Sequence, residues 1–237
     1  MRVDWQPALV LHKRAYRETS LQLDILTQDH GLISLIAKGI TGPKKHIVRS
    51  QLQPLQHLKI CYQLKSEIGY LNQSELLSNS VVLNGERLMA GLYLNELVLK
   101  LCPRHDADPE LYALLLTTRN ELSSAIDLAW LIRRFERDFI AHLGYMTPWS
   151  YLAKDVSIKK NDYYRIHPEL GILTSSIDEP GALNGQDIID FNEDRLPSKI
   201  SMPIWRNVLH YVISQHVGNS LPRSWQMIVD LSKKPVK

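Results

Sequence analysis

The first eighty residues alternate between apolar and polar positions in the way that β-strands do. Every second residue is large and apolar in segments 21–25 and 58–64, short apolar runs occupy 8–11 and 32–37, and a fifth segment of this kind begins at Ile68. Five short strands within about seventy-five residues predict a small closed barrel.

From about residue 81 the apolar positions follow a helical period. A first amphipathic helix ends before Pro103. Asp108-Pro109 marks the start of a second helix, because aspartate caps helix N-termini and proline suits the first helical position. A third helix extends from about Ser124 and stops at Gly144. The apolar residues of these helices are expected to form a helical core.

The rest of the chain is less periodic. The segments 163–167 and 171–174 predict a β-hairpin, and Pro203 opens a last helix that ends near Gly218. We therefore predict an α+β protein: an N-terminal five-stranded barrel over 1–80, a helical domain over 81–145, and a zinc-free C-terminal region of hairpin and helices over 146–237. The OB-fold is the common five-stranded barrel that handles nucleic acid, so an OB-fold is expected by analogy.

Composition excludes several classes of protein. Cys61 and Cys102 are the only cysteines, which is too few for a disulfide framework or a cysteine-based zinc site. No apolar run approaches the ~18 residues of a membrane span, and Asp4, Gln6 and Lys13 interrupt the N-terminus, so it does not resemble a secretory signal. We expect a reduced, cytoplasmic protein without membrane contact, structural metal or other cofactor.

Charge is distributed unevenly along the chain. Residues 1–80 carry ten Lys/Arg against six Asp/Glu, residues 81–194 carry eleven against eighteen, and residues 195–237 carry seven against one. The window from His30 to Ser66 contains six basic residues and no carboxylate. Such a surface favours a polyanion, because each neutralised phosphate releases counterions. The alternative is a solvated basic face without a ligand.

The motifs of common enzymes are missing. The sequence contains no GxxxxGK[ST] phosphate loop, no HExxH, no GxSxG and no ExK tripeptide of metal-dependent nucleases. Acidic pairs such as Asp106/Asp108 and Glu193/Asp194 are interpreted as helix caps or loop residues. Together these observations favour a binding protein over an enzyme.

Several segments, taken in order, resemble the RecO family of recombination mediators. They are LHKR at 11–14, ETSL at 18–21, the 27–31 turn, IAKG at 36–39, LQPL at 52–55, LYLNEL at 92–97, RRFE at 133–136 and HLGY at 142–145. The resemblance covers residues 9–145 and extends more weakly to Arg223.

The resemblance implies a bacterial, nucleoid-associated protein that binds single- and double-stranded DNA and anneals complementary strands. It also implies engagement of the acidic tail of single-stranded DNA-binding protein and, with RecR, loading of RecA, with RecF as a further candidate partner. None of this requires ATP hydrolysis by the chain. Family members often carry a four-cysteine zinc site, but residues 146–200 contain no cysteine. Zinc is therefore not expected.

The DNA-binding hypothesis falls on the barrel and its glycine- and proline-containing loop. The expected phosphate ligands are Arg14, Lys38, Lys44, Lys45 and Arg49, with Arg223 in the basic C-terminal segment. Tyr62 or Tyr70 is expected to stack on bases. The alternatives are strand packing for the tyrosines and simple solvation for the lysines.

A protein-binding hypothesis falls on the third helix. Trp130, Arg133, Arg134 and Arg137 share one face by helical spacing. Guanidinium groups suit the carboxylates of an acidic tail, and an indole suits its apolar end. The alternative is local ion pairing, for example of Arg134 with Asp138. Two other functions remain open: an interaction adaptor with incidental DNA contact, and an unrecognised nuclease or RNA-modifying enzyme.

Overall fold

The computed structural model describes residues 1–40, 46–65, 67–77, 82–145, 147–149, 157–167, 169–218, 222 and 224. The chain forms two compact units. The first unit comprises Met1–Ala125 with Pro222–Lys237, and the second unit comprises Ile126–Leu221. The predicted segment 81–145 is therefore shared between the two units.

Five strands of the first unit close into a barrel, as the alternating pattern predicted. They are β1 (Arg2–Tyr16), β2 (Ser20–Thr27), β3 (Gly31–Ala37), β4 (His57–Leu64) and β5 (Ile68–Leu76). Their order around the barrel is β1-β2-β3-β5-β4, with β3 and β5 parallel and the other neighbouring strands antiparallel. This five-stranded order gives an OB-like barrel.

The barrel interior is filled by the apolar residues of the alternating segments. Leu23 of β2 pairs with Leu35 of β3, and Ile25 pairs with Ile33; all four are fully buried. Because side chains alternate between the two faces, this register fixes which residues of β2 and β3 face outward. β1 is much longer than the predicted segment 8–11, because two register shifts let it curve along both β2 and β4.

Three helices complete the described part of the first unit: α1 (His46–Gln51), α2 (Gly85–Leu101) and α3 (Pro109–Glu121). The predicted start of α3 is confirmed, since the Asp108 side chain accepts a hydrogen bond from the Leu111 amide at 2.9 Å and Pro109 occupies the first helical turn. Arg119 of α3 donates from Nε to the carbonyl oxygen of Leu55 at 2.8 Å. This contact fastens α3 to the segment that leads into β4.

The second unit contains α4 (Leu128–His142), β6 (Tyr163–His167), β7 (Gly171–Ser175), β8 (Leu183–Asn184), α5 (Gly185–Asn192) and α6 (Met202–His216). The predicted hairpin is β6–β7, and β8 joins it as a third antiparallel strand. α4 begins at Leu128 rather than near Ser124, because Asp127 caps it by accepting from the Trp130 amide at 3.0 Å. Across the described residues, the helices all lack the length and apolar character that crossing a membrane requires.

Candidate nucleic-acid interface

A groove of about 760 Å³ lies on the outer surface of the barrel. Its lining comes from the β1–β2 turn, the end of β3 and the start of β5, and consists of Tyr16, Arg17, Glu18, Thr19, Ser20, Ile36, Lys38, Gly39 and Tyr70. In OB-folds the outer face of strands 2 and 3, with the loops joining strands 1–2 and 4–5, is the surface that binds oligonucleotides. We call this cavity the basic groove; it lies on that surface.

Register explains why these residues face the groove. Leu21 and its β3 partner Ala37 point into the barrel, so the adjacent Ile36 lies on the outer face. Tyr70 pairs with Ile36 across the parallel β3–β5 contact and takes the same side. The backbone amide of Ile40 donates to the carbonyl oxygen of Thr19 at 2.7 Å, which ties the end of β3 to the β1–β2 turn.

Cations lie over both aromatic rings of the basic groove. The Lys38 ammonium lies 4.1 Å from the centroid of the Tyr70 ring, and the Lys65 ammonium lies 5.9 Å from it. The Arg17 guanidinium lies 5.3 Å from the centroid of the Tyr16 ring. Paired cations and aromatic faces suit the alternating phosphates and bases of a nucleic-acid strand.

The structure places the predicted phosphate ligands differently from one another. Lys38 lies in the basic groove, and Arg14 lies beside it on β1, where Nη2 donates to Gln22 Oε1 at 3.0 Å. Arg49 is exposed on α1. The pKa of Lys13 is lowered, mainly because the ammonium is partly buried and secondly because the positive charge of Arg49 is near. Lys44, Lys45 and Arg223 lie outside the described residues.

Tyr62 requires a correction. It is completely buried in the barrel core, where its hydroxyl accepts from Gln6 Nε2 at 2.6 Å and lies 3.0 Å from His30 Nδ1. Burial raises the pKa of Tyr62 to about 12. A buried ring cannot stack on a base, so Tyr70 is the tyrosine of the predicted pair that a ligand can reach. The alternation of Tyr62 with Leu58 and Ile60 already indicated this inward position.

Sequence reasoning missed Tyr16 and Arg17 as candidate ligands. The usable signal was an aromatic-basic pair directly before a polar turn on the correct loop of an OB-fold. Arg17 adopts a φ of +54°, in the left-handed region that non-glycine residues seldom occupy. This conformation belongs to the turn that forms one wall of the basic groove.

The predicted tail-binding face on α4 is not an open surface. Trp130 is 6% exposed and packs edge-to-face against Phe191 of α5, with centroids 6.1 Å apart. Arg133 Nη2 donates to Glu136 Oε1 at 2.8 Å, and both side chains are buried. Neither Trp130 nor Arg133 can form the accessible rim of a pocket in this arrangement.

The Arg137 guanidinium likewise uses its donors on hydrogen bonds within the second unit. Nε donates to Asp138 Oδ1 and Nη2 to Asp194 Oδ1, each at 2.7 Å, while Nη1 donates to the Phe191 carbonyl oxygen. Its guanidinium lies 5.6 Å from the Trp130 ring centroid. The partner of Asp138 here is Arg137, not the Arg134 that the ion-pairing alternative named. Arg134 is half-buried, and its role in tail binding stays a prediction.

Two further observations bear on the chemistry available. No group of three or more His, Cys, Asp or Glu side chains that could hold a metal occurs in the part of the chain that the structure describes. Cys61 and Cys102 are free thiols, and burial raises the pKa of both. These thiols are therefore poorly ionised and weakly nucleophilic near neutral pH.

The fold and the groove define an α+β protein built on an N-terminal OB-like barrel. Residues 1–80 match the family model described as Recombination protein O N terminal, and residues 83–184 match Recombination protein O C terminal. Together these matches span most of the sequence. The chain belongs to the RecO family of DNA repair proteins.

Full-length relatives agree with this assignment. The protein named DNA repair protein RecO from Xanthomonas oryzae pv. oryzae is 36% identical over 239 residues, which covers 99% of this chain and 100% of that protein. The protein of the same name from Stenotrophomonas maltophilia is 32% identical, covering 99% of this chain and 100% of that protein. The one from Ralstonia nicotianae is also 32% identical, covering 98% of this chain and 86% of that protein.

Proposed function

We propose that the chain is a recombination mediator of the RecF-pathway type that binds DNA through the basic groove and anneals complementary strands. With RecR, it would help RecA load onto DNA coated by single-stranded DNA-binding protein. The observation that carries the DNA-binding step is the pairing of cations with aromatic rings along the outer face of an OB-like barrel.

The chemistry of the basic groove matches a nucleic-acid strand. Arg17 and Lys38 supply charge for phosphates, with Lys65 close to the Tyr70 ring, and Glu18 is the one carboxylate among the described residues of the lining. Tyr16 and Tyr70 offer ring faces, and stacking of a base on an aromatic side chain contributes roughly 1–3 kcal/mol. An ammonium that covers a ring in the free protein can move to a phosphate when a base takes its place.

Annealing needs only binding energy. Cations that neutralise phosphates reduce the repulsion between two complementary strands held on one surface. No covalent bond is made or broken, so this function needs neither a catalytic residue nor a cofactor. Arg14 and Arg49 add positive charge to the same unit outside the groove lining. Lys44, Lys45 and Arg223 lie outside the described residues and stay proposed phosphate ligands.

The protein partners belong to the same proposal. The family resemblance supports proposing four partners: the acidic tail of single-stranded DNA-binding protein, RecR, RecF and RecA. Within the predicted tail-binding set, Trp130 and Arg133 are buried, whereas Arg134 and Arg137 are half-buried.

The proposal is tested by annealing complementary oligonucleotides without any nucleotide. We expect the wild-type chain to accelerate annealing and the Tyr70→Ala variant to slow it severalfold. Tyr211→Ala, an exposed tyrosine of the second unit, is the matched control and should behave like wild type. Failure of the wild type to bind or anneal DNA would favour the adaptor, and Mg²⁺-dependent cleavage of the oligonucleotides would identify a nuclease.

A further inference from the structure

A second groove, of about 360 Å³, shares Lys38 with the basic groove. It is lined by Trp5, Lys38, Ile40, Val48, Leu71, Asn72, Gln73, Ser74 and Glu75, and we call it the Trp5 groove. Lys38 lines both this cavity and the basic groove. A strand whose phosphate contacts Lys38 therefore lies at the lining of both cavities.

Two irregularities of the barrel meet at the Trp5 groove. The register of β1 against β4 shifts between Val3 and Gln6, which leaves Asp4 and Trp5 outside regular pairing. The register of β4 against β5 shifts where Cys61 pairs with Gln73 and Tyr62 pairs with Leu71, which leaves Asn72 unpaired. Bulges redirect side chains and are frequent beside binding sites. Here both place side chains on the lining of the same cavity.

The Trp5 groove offers groups that recognise a base rather than a phosphate. Trp5 is 36% exposed, and the Lys59 ammonium lies 5.4 Å from its ring centroid. Lys59 is also the cross-strand partner of Glu75, so positive and negative charge are nearly balanced at this site. The amides of Asn72 and Gln73 provide hydrogen-bond donors and acceptors that match the polar edge of a base.

We infer that the Trp5 groove is a base-binding subsite for single-stranded nucleic acid, in which an unpaired base stacks on the Trp5 indole. This inference rests on the proposed DNA-binding role of the basic groove. A base in a duplex is already stacked and paired, so its Watson–Crick edge and both ring faces are unavailable to this subsite. Trp5 therefore selects single strands, whereas Lys38 contacts phosphates of either form.

The test compares binding of Trp5→Ala, Lys38→Ala and wild-type protein to a fluorescent oligo(dT) and to a duplex of equal length. We expect Trp5→Ala to bind the single strand about tenfold more weakly, with an unchanged salt dependence. Its affinity for the duplex should match wild type. Equal weakening for both ligands, or an unchanged affinity for the single strand, would overturn the subsite.

Tryptophan fluorescence gives a second readout that does not depend on the Ala variant folding. Trp130, Trp149 and Trp205 are 6%, 3% and 0% exposed, so Trp5 is the accessible indole among the residues that the structure describes. Trp225 lies outside the described residues and is therefore replaced by Phe in both proteins that are compared. Oligo(dT) should quench the fluorescence of the Trp225→Phe protein, and adding Trp5→Phe should remove that quenching. Equal quenching in Trp5→Phe would overturn the subsite.

The two proposals fail in different ways. If Lys38→Ala weakens DNA binding while Trp5→Ala and Trp5→Phe behave as wild type, the basic groove stands and the Trp5 subsite falls. If the wild-type protein binds neither oligonucleotide, the proposed function is contradicted, and so is the Trp5 subsite that rests on it.

Discussion

The side-chain amide of Asn95 donates hydrogen bonds to two consecutive backbone carbonyls of β1, those of Leu11 at 2.9 Å and Val10 at 3.3 Å. The register of β1 against β2 shifts between Val10 and His12, so Leu11 falls outside the regular ladder. Asn95 of α2 is 2% exposed and donates to the Leu11 carbonyl, while the Val10 carbonyl also accepts from the Leu55 amide at 2.8 Å. The helix thereby stabilises the bulge that bends β1 around the barrel.

Asn95→Ala should destabilise the first unit by about 1–3 kcal/mol, because it removes a buried hydrogen bond to the Leu11 carbonyl. Urea unfolding followed by far-ultraviolet circular dichroism measures this effect. Asn207→Ala, an exposed asparagine of α6, is the control and should unfold like wild type. An unchanged midpoint for Asn95→Ala would mean that another group satisfies the β1 carbonyls.

Gly31 and Gly39 allow the steric cost of an added Cβ to be measured apart from the cost of a positive φ angle. Gly31 and Gly39 have φ angles of +62° and +66°, so alanine at either position is strained by about 1–2 kcal/mol. A Cβ at Gly31 would lie 1.8 Å from the backbone oxygen of Asp106, whereas a Cβ at Gly39 meets nothing within 4 Å.

Gly31→Ala should therefore reduce stability by about 1–3 kcal/mol more than Gly39→Ala, since the backbone at Asp106 must move. Thermal unfolding of the two variants in parallel measures the difference. Equal destabilisation would show that the contact between the β2–β3 turn and the segment at Asp106 contributes nothing to folding.

Alternation predicted strands from segments as short as 21–25, whereas β3, in which every residue is buried, was predicted from the continuous apolar run 32–37. Alternation does not predict the start of β1, because the bulge at Asp4 and Trp5 interrupts the two-residue period. Trp5 escapes prediction for that reason. The Tyr70 position follows from the sequence, but its cation partner Lys38 comes from the end of another strand and depends on the β3–β5 pairing.

The α4 face shows a different limit. Helical spacing correctly places Trp130, Arg133 and Arg137 on one side of the helix. It cannot show that α5 and the residues just after it, more than fifty residues later, cover that side with Phe191 and Asp194. Partners distant in sequence decide whether a charged helical face is a binding surface or an internal contact.

Arg137→Ala should destabilise the second unit by about 1–3 kcal/mol, because it removes charge-assisted hydrogen bonds that join α4 to α5. Thermal unfolding followed by tryptophan fluorescence suits this measurement, since Trp130, Trp149 and Trp205 are buried in that unit. Lys199→Ala, an exposed residue of the same unit, is the control and should unfold like wild type. Full stability of Arg137→Ala, together with weaker binding to an acidic tail peptide, would restore the predicted tail site.

His210 makes the second unit sensitive to acid. Burial, followed by the charges of Arg133 and Arg206, lowers the pKa of His210 to about 3, although Glu136 Oε1 lies 3.8 Å from Nε2. The unfolded chain takes up this proton near the ordinary histidine pKa of about 6.5, while the folded chain does not. Its contribution to stability is therefore complete above that pH and is lost as pH falls toward the folded pKa.

We expect the unfolding midpoint of the second unit to fall between about pH 6.5 and about pH 4, and His210→Gln to reduce that fall. Urea unfolding by tryptophan fluorescence at several pH values tests this. His216→Gln, an exposed position on the same helix, controls for removal of an imidazole. A His210→Gln profile parallel to wild type would assign the acid sensitivity to other groups.

Contact of Arg17 and Lys38 with DNA phosphates in the basic groove is the central claim. It is tested most directly by the salt dependence of oligonucleotide binding in Arg17→Ala, Lys38→Ala and the Lys199→Ala control. Each groove variant should weaken binding and flatten the plot of log affinity against log salt by about 0.7 for each single-strand phosphate that is no longer neutralised. The control should retain the wild-type slope. A wild-type affinity and slope in both groove variants would contradict the claim and place DNA binding elsewhere on the chain.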